Sequence, residues 1–234
     1  MVVYGRNPVR EALDGPRAVH AVRATPQALD EAWLAGAPVE RAGEEEIERL
    51  CGSPDHQGVC AEVDPYQYAD AARLLSPADA LVVCLDQVQD PQNLGAVCRV
   101  AECAGATGVV IPERRAAQVT AAVCKASAGA VEHLPVARVR NVADFLADAK
   151  QGDAWVYGAD AEGHVAYDEP DYSGRVVLVL GSEGSGLRPR VAAACDALVA
   201  LPVRGRVGSL NVSAAAAALV YGILQRRQGV DKAP

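Results

Sequence analysis

The sequence predicts an α/β protein: a C-terminal domain on a parallel sheet with helices on both faces, plus a small N-terminal α/β domain. Three observations predict it. Apolar runs such as "LVVCLD" (81–86), "GVVIP" and "RVVLVLG" read as strands buried on both faces. Helical stretches lie between most of the strands, the pattern of a parallel sheet with crossover helices. A polar segment with prolines at both ends, "PYQYADAARLLSPADA", separates these runs from an earlier set of shorter patterns. It places a linker near 65–79 and the domains at 1–75 and 79–234.

In chain order, "NPVREAL" reads as a helix with Asn7 as N-cap and Pro8 at its first position. "AVHAVRAT" reads as a strand and "PQALDEAWLAG" as a helix ended by Gly36. "GEEEIERLC" is a helix with acid at its positive end, and "GVCAEV" a further strand. Beyond the linker, "LVVCLD" leads into the helix "NLGAVCRVAECAG". "GVVIP", "LPVARV", "AWVYGA", "RVVLVLG" and "ALVALPV" follow as strands, with the polar segment 160–174 as the one connection without a helix.

The chain has 234 residues, half of them apolar and under a quarter charged. No apolar run reaches the roughly 18 residues of a membrane span, and the charged start does not suit a signal peptide. A cytoplasmic protein with no membrane partner is expected. Seven scattered cysteines without a CxxC pair read as buried free thiols. Four separated histidines (His20, His56, His133, His164) give no metal-ligand spacing, so no metal site is expected. The net charge of -8 argues against a protein that coats nucleic acid. Its distribution softens that argument. Residues 1–78 carry 7 basic and 13 acidic side chains, residues 79–234 carry 15 and 17, and arginines pair up at 114/115, 138/140, 188/190 and 204/206.

Three loops carry the candidate chemistry. In "LVLGSEGSGL" the glycines are Gly181, Gly184 and Gly186, which is neither a GxGxxG fingerprint nor a phosphate loop ending in Gly-Lys-Ser/Thr. The carboxylate of Glu183 would repel phosphate. The loop is either a plain tight turn or the seat of a ligand bearing hydroxyls or a cation, such as S-adenosylmethionine. The second loop, "LDQVQDPQNLGAVCRVAECAG", enters a helix near Asn93 and sets Arg99 among apolar neighbours. Arg99 either snorkels to the surface or is fixed at a site. In the third, "LPVRGRVGSLNVSAAAAALVYGILQRR", Ser209, Asn211 and Ser213 are all N-cap types where one cap is needed. The alanine run 214–218 favours helix, and Gly222 inside it suggests a close backbone approach.

Together and in this order, "DPQNLGAVCRVAECAG", "LVLGSEGSGL" and "LPVRGRVGSLNVSAA" resemble the three motifs of the SpoU branch of the SPOUT RNA methyltransferases. "YGRNPVREAL", "HQGVCAEV" and "KASAGAVEHLPV" extend the resemblance over nearly the whole chain, and it is nearest to the RlmB-like group. The resemblance implies a deep trefoil knot in the C-terminal domain, an N-terminal RNA-binding domain of ribosomal-protein-like fold, and a homodimer with the active site near its interface. It implies S-adenosylmethionine as methyl donor and the ribose 2'-hydroxyl of a guanosine in large-subunit (23S) ribosomal RNA as acceptor. Carried onto matching positions, Arg99 resembles the catalytic arginine. Asn93, Glu183, Ser209 and Asn211 resemble the functional polar residues. Gly158, Ala159, Gly181, Glu183, Gly186, Leu201 and Leu210 would bind the cofactor. Arg114, Arg115 and Lys125 are the expected RNA contacts. Gly222 departs from the acidic residue common among relatives, and Gly208 from a frequent serine.

The reaction so implied is a direct displacement helped by orientation of the two reactants, without metal or covalent intermediate. Arg99 would act either as base, helped by an RNA phosphate, or as a charged group stabilising the developing alkoxide. Rival readings are methylation of transfer RNA, methylation of ribosomal RNA at an antibiotic site, and an RNA-binding assembly factor with a decayed site.

Overall fold

The computed structural model describes residues 1–230. The chain opens with β1 (Val2–Tyr4), α1 (Arg6–Asp14), β2 (Val19–Ala24), β3 (Val39–Arg41), α2 (Glu44–Cys51) and β4 (Val59–Val63). These strands form a four-stranded sheet in the order β1-β4-β2-β3. Next come α3 (Ala71–Leu74), β5 (Leu81–Asp86), α4 (Pro91–Cys103), β6 (Gly108–Pro112), α5 (Ala121–Ala126), β7 (Val136–Val139) and α6 (Val142–Gln151). The chain closes with β8 (Ala154–Ala159), β9 (Val165–Ala166), β10 (Arg175–Gly181), α7 (Pro189–Ala192), β11 (Ala197–Ala200) and α8 (Val212–Val230). Their seven strands pair in parallel in the order β7-β6-β5-β10-β8-β11-β9.

The expected α/β architecture is therefore present, and its cause is visible in β5. Leu81, Val83 and Leu85 enter one core with α4, α5 and α8, while Val82 and Cys84 enter a second core with α6 and α7. A strand covered on both faces needs no polar alternation. Because all seven strands run the same way, the loops that leave their carboxyl ends gather at one edge, where such sheets place ligands.

Several local expectations change. The first helix begins at Arg6 with Gly5 as its cap rather than Asn7, and the side-chain oxygen of Gln57 accepts from the Arg6 N–H (3.0 Å). "PQALDEAWLAG" forms two short 3₁₀ turns, Ala28–Asp30 and Ala32–Leu34, instead of a helix. Glu31 between them is extended (ψ 121) and bound to Arg6 at 2.9 Å. Splitting the segment there lets both Ala28 and Leu34 reach the core. The strands β1, β3 and β9 are too short to show in the sequence pattern. "ALVALPV" stops as a strand at Ala200.

The segment expected to be a linker is fastened to the larger domain. Tyr66 and Tyr68 meet edge to face at 5.2 Å. The Tyr66 hydroxyl donates to the Leu134 carbonyl (3.3 Å) and accepts from Val136 N–H (3.1 Å). Ala69 bridges to Ala137, and Leu74 of α3 lies in the second core.

The two sheets are also joined by a buried ion pair. The Arg17 guanidinium binds both carboxylate oxygens of Glu132, with Nε to Oε2 at 2.8 Å, and donates to the Asp64 carbonyl (3.1 Å). Burial works against the charge on Arg17, but Glu132 outweighs it and holds the guanidinium above its usual range. Nearby, Glu11 of α1 accepts from His133 (2.9 Å) and Arg10 (2.9 Å). Burial raises the Glu11 carboxyl, yet those two partners leave it below its ordinary value of 4.5.

Two outcomes follow. Arg17→Ala strands the Glu132 carboxylate and lowers stability by about 3–5 kcal/mol in calorimetric melts, whereas the Arg17→Met, Glu132→Leu pair recovers most of it. Glu11 is depressed on folding, so its contribution is present above its unfolded value of 4.5 and fades as pH falls through the folded value. Glu11→Gln then flattens stability against pH below about 4.5, as followed by urea melts.

Candidate active site

The glycine turn, the loop into α8 and the segment after β8 enclose a cleft of about 650 Å³ at the carboxyl edge, between the ends of β8, β10 and β11 and the start of α8, and the loop into α4 backs it through Asn93. The glycine turn forms one wall. Ser182 and Gly186 exchange backbone hydrogen bonds (3.1 and 3.0 Å), which folds the turn back on itself. This brings the backbone across Gly181 so closely that a Cβ there would lie 2.1 Å from the Gly186 carbonyl carbon. Only glycine fits. Beneath the turn, the fully buried Asp86 at the end of β5 accepts from Arg188 N–H (3.0 Å) and Nε (2.8 Å). The far end of the loop is thus tied to the strand beside it.

Each of the other two motif loops opens a capped helix. Asp90 caps α4 by accepting from Gln92 N–H (2.9 Å), and Pro91 follows at the first helical position, so the helix starts two residues before Asn93. Asn211 caps α8, its Oδ1 accepting from Ser213 N–H (2.9 Å) and Ser213 Oγ (2.6 Å). Of the three cap-type residues, Asn211 is the cap, Ser213 supports it, and Ser209 lies in the cleft lining.

The side chain of Asn211 still has its amide protons. Its Nδ2 donates to Asn93 Oδ1 (3.0 Å) and to Glu183 Oε1, and Asn93 Nδ2 donates to the same Glu183 oxygen (3.0 Å). A carboxylate is an acceptor with several lone pairs, so it takes both amides at once. Glu183 therefore joins all three loops. Its Oε2 has no hydrogen-bond partner among the described residues.

The structure places Ala159, Gly181, Glu183, Gly186, Leu201, Ser209, Leu210 and Asn211 around the cleft, with the buried Asn93 behind Glu183. Gly158 does not join them. A Cβ there would meet Leu187 (2.7 Å), Leu198 (2.7 Å) and Cys195 (2.9 Å), on the side of the sheet turned away from the cleft. Arg99 is exposed on α4, outside the cleft lining and without a side-chain partner among the described residues. Arg114 and Arg115 are exposed on the loop after β6. Lys125 is instead drawn toward the smaller domain, its Nζ 5.9 Å from the centre of the Tyr4 ring, and burial pulls its pKa down. Lys125 thus lies between α5 and the first sheet.

Sequence reasoning missed Asp86, Asp160 and the apolar floor of Leu180, Val199 and Leu219. Both aspartates close or follow an apolar strand, a signal legible once such strand ends are known to converge. Asp160 is set by a turn in which its N–H bonds Val199 O (3.0 Å) and its carboxylate accepts from Glu162 N–H (2.8 Å). The lining carries Asp160, Glu162 and Glu183 but neither lysine nor arginine among the described residues. An apolar floor, a carboxylate rim and close-approaching glycyl backbone suit a ligand with hydroxyls and positive charge, and disfavour a phosphate.

The SpoU rRNA Methylase family matches residues 80–221, and a family described as RNA 2'-O ribose methyltransferase substrate binding matches residues 2–69. A protein of Bacillus subtilis assigned to the TrmH family of tRNA/rRNA methyltransferases is 36% identical, over 98% of this chain and 97% of its own. A tRNA/rRNA methyltransferase of Mycobacterium ulcerans is 38% identical, over 97% of this chain and 77% of its own. Among solved structures, an AdoMet-bound rRNA methyltransferase of Sinorhizobium meliloti superposes with a TM-score of 0.80 at 26% identity, covering 97% of this chain and 87% of that one. The SpoU methyltransferase AviRb of Streptomyces viridochromogenes shares the fold, with a TM-score of 0.81 at 24% identity over 97% of this chain and 90% of that one. Two family matches that together span most of the sequence, relatives aligned end to end, and three motif loops joined through Glu183 agree: the chain belongs to the SpoU family of S-adenosylmethionine-dependent RNA methyltransferases.

Proposed function

We propose that the chain methylates the 2'-hydroxyl of a ribose in RNA, with a guanosine of large-subunit ribosomal RNA as its substrate. The observation that carries the reading is the carboxylate of Glu183, tying Asn93 and Asn211 beside a cleft whose lining carries acid and, among the described residues, no lysine or arginine. When bound there, S-adenosylmethionine supplies a methyl group activated by its positive sulfur. Leu180, Val199, Leu201 and Leu219 give an apolar surface for an adenine, the glycyl backbone of the turn permits close contact, and the carboxylate rim accepts hydroxyls and offsets the positive charge.

Glu183, Asn93 and Asn211 fix the loops relative to one another, so the two reactants meet in one geometry. Arg99 stands outside the lining and serves the RNA side of the reaction. It takes the proton of the attacking hydroxyl or stabilises the charge that develops on it. Exposed apolar side chains near the cleft, Val203, Val207 and Leu210, with Tyr221 on α8, support pairing of two copies. The knotted path of the C-terminal segment and the nucleotide preference are part of the same proposal, supported by the motif order and the family.

Arg99→Ala lowers turnover by about 100-fold or more while S-adenosylmethionine binding, read by calorimetry, stays intact. Arg99→Lys, which keeps a charge but loses the planar fork, separates a proton-accepting from a charge-stabilising role by its pH–rate profile. Gly181→Ala displaces the turn and abolishes cofactor binding in the same calorimeter. Mapping 2'-O-methyl groups on total RNA with and without the protein identifies the nucleotide. A single new mark on 23S RNA supports the reading, and marks confined to transfer RNA refute the ribosomal assignment.

A further inference from the structure

A second constellation at the carboxyl edge bears charge that no described side chain answers. Gln118 closes the loop after β6, its Nε2 donating to the carbonyls of Pro112 (3.2 Å), Ala116 (3.3 Å) and Ala117 (3.4 Å). Within the closed loop Arg115 sits at φ 58, in the left-handed region that a non-glycine residue enters only when its surroundings hold it there.

Tyr68, from the segment between the two sheets, fastens this loop. Its hydroxyl accepts from Val119 N–H (2.9 Å) and donates to Gln118 Oε1 (3.4 Å). The face of the same ring carries the Arg138 guanidinium, 4.0 Å from the centroid. The register of β6 on β7 pairs Ile111 with Arg138, so Arg138 emerges beside the loop. Arg114, Arg115 and Arg138 are all exposed, and none makes an ion pair among the described residues.

We propose that the Gln118-closed loop and Arg138 form a seat for the phosphodiester backbone of the RNA, and that Tyr68 is the positioning residue that holds Arg138 ready for it. The proposal rests on the reading of the chain as an RNA methylase. Guanidinium forks match phosphate oxygens in pairs. A guanidinium held over a ring face, with no ion pair of its own, has already lost part of the side-chain freedom that binding would cost. The cleft, with its carboxylates, repels phosphate, whereas the seat attracts it. In the sheet β6 lies two strand spacings from β10 and β7 lies three, about 10 and 14 Å. A strand of RNA resting on the seat therefore runs to the cleft within a few nucleotides.

The test uses a fluorescein-labelled RNA hairpin, titrated by anisotropy over a series of KCl concentrations without cofactor. Arg138→Ala weakens binding roughly tenfold and reduces the salt slope by about 0.7–0.9. Tyr68→Leu, with Arg138 in place but unsupported, weakens binding roughly threefold at unchanged slope. Tyr68→Phe, which keeps the ring, stays within about twofold of the parent, a rescue that a loss of general folding would not show. S-adenosylmethionine calorimetry on each variant confirms an intact cleft. Parent-like affinity and slope in Arg138→Ala overturn the seat alone. A Tyr68→Leu variant that binds as the parent does overturns the positioning role. A parent protein that binds no hairpin at any salt overturns the seat and the RNA reading together, while its calorimetry still reports on the cofactor.

Discussion

The site depends on one carboxylate oxygen. Glu183 Oε1 takes amide protons from Asn93 and Asn211, residues 90 and 28 positions away in the sequence. Each asparagine is in turn committed to its own helix: Asn211 caps α8, and Asn93 lies one turn inside α4, beside the capping Asp90. The positions of two helices and a glycine turn are thus set against each other through one acceptor. A hydroxyl or amide in place of the carboxylate has too little acceptor capacity at that point to hold both donors as strongly. A carboxylate in a glycine-rich loop, unhelpful for phosphate, is what ties this loop to both asparagines.

The sheet supplies the stage for that contact. Seven parallel strands direct the loops that leave their carboxyl ends to the same edge, and the strand order interleaves β10 between β5 and β8. Three motifs far apart in sequence therefore become neighbours. The same order separates charge along the edge. Acid collects over β8 and β10, in the residues that line the cleft, and arginine without an ion pair among the described residues collects over β6 and β7. A net charge of -8 is then compatible with a polyanionic partner, because what that partner meets is local.

Much of this was legible in the sequence, and the reasons differ by element. Strands buried on both faces announce themselves as unbroken apolar runs, and β5, β6, β8 and β10 appear where those runs lie. The short β1, β3 and β9 do not, because two or three residues cannot establish a period. "PQALDEAWLAG" has helical spacing but breaks at Glu31, where the ion pair to Arg6 and the demands of the core prevail over local propensity. In the site, the resemblance carried by the three motifs pointed to Glu183, Asn93 and Asn211, while the residues alone left the glycine turn and the helix caps open. What no pattern shows is direction: Gly158 and Ala159 are adjacent, yet alternation turns one of them to the opposite face. Gly222 was readable as a close approach but not as to what. A Cβ there would come within 2.9 Å of the Tyr167 ring, a contact inside the same chain. The tie between the domains, Arg17 with Glu132, spans 115 positions and leaves no local trace.

That separation has a consequence for the order of synthesis. The ribosome delivers Arg17 and the rest of the first sheet well before Glu132, a delay on the order of ten seconds at ordinary elongation rates. Until then the guanidinium has no buried counter-charge and must remain in water, so the early-formed sheet keeps its underside wet. Arrival of the glutamate supplies the counter-charge with which both groups leave solvent at the seam between the two sheets.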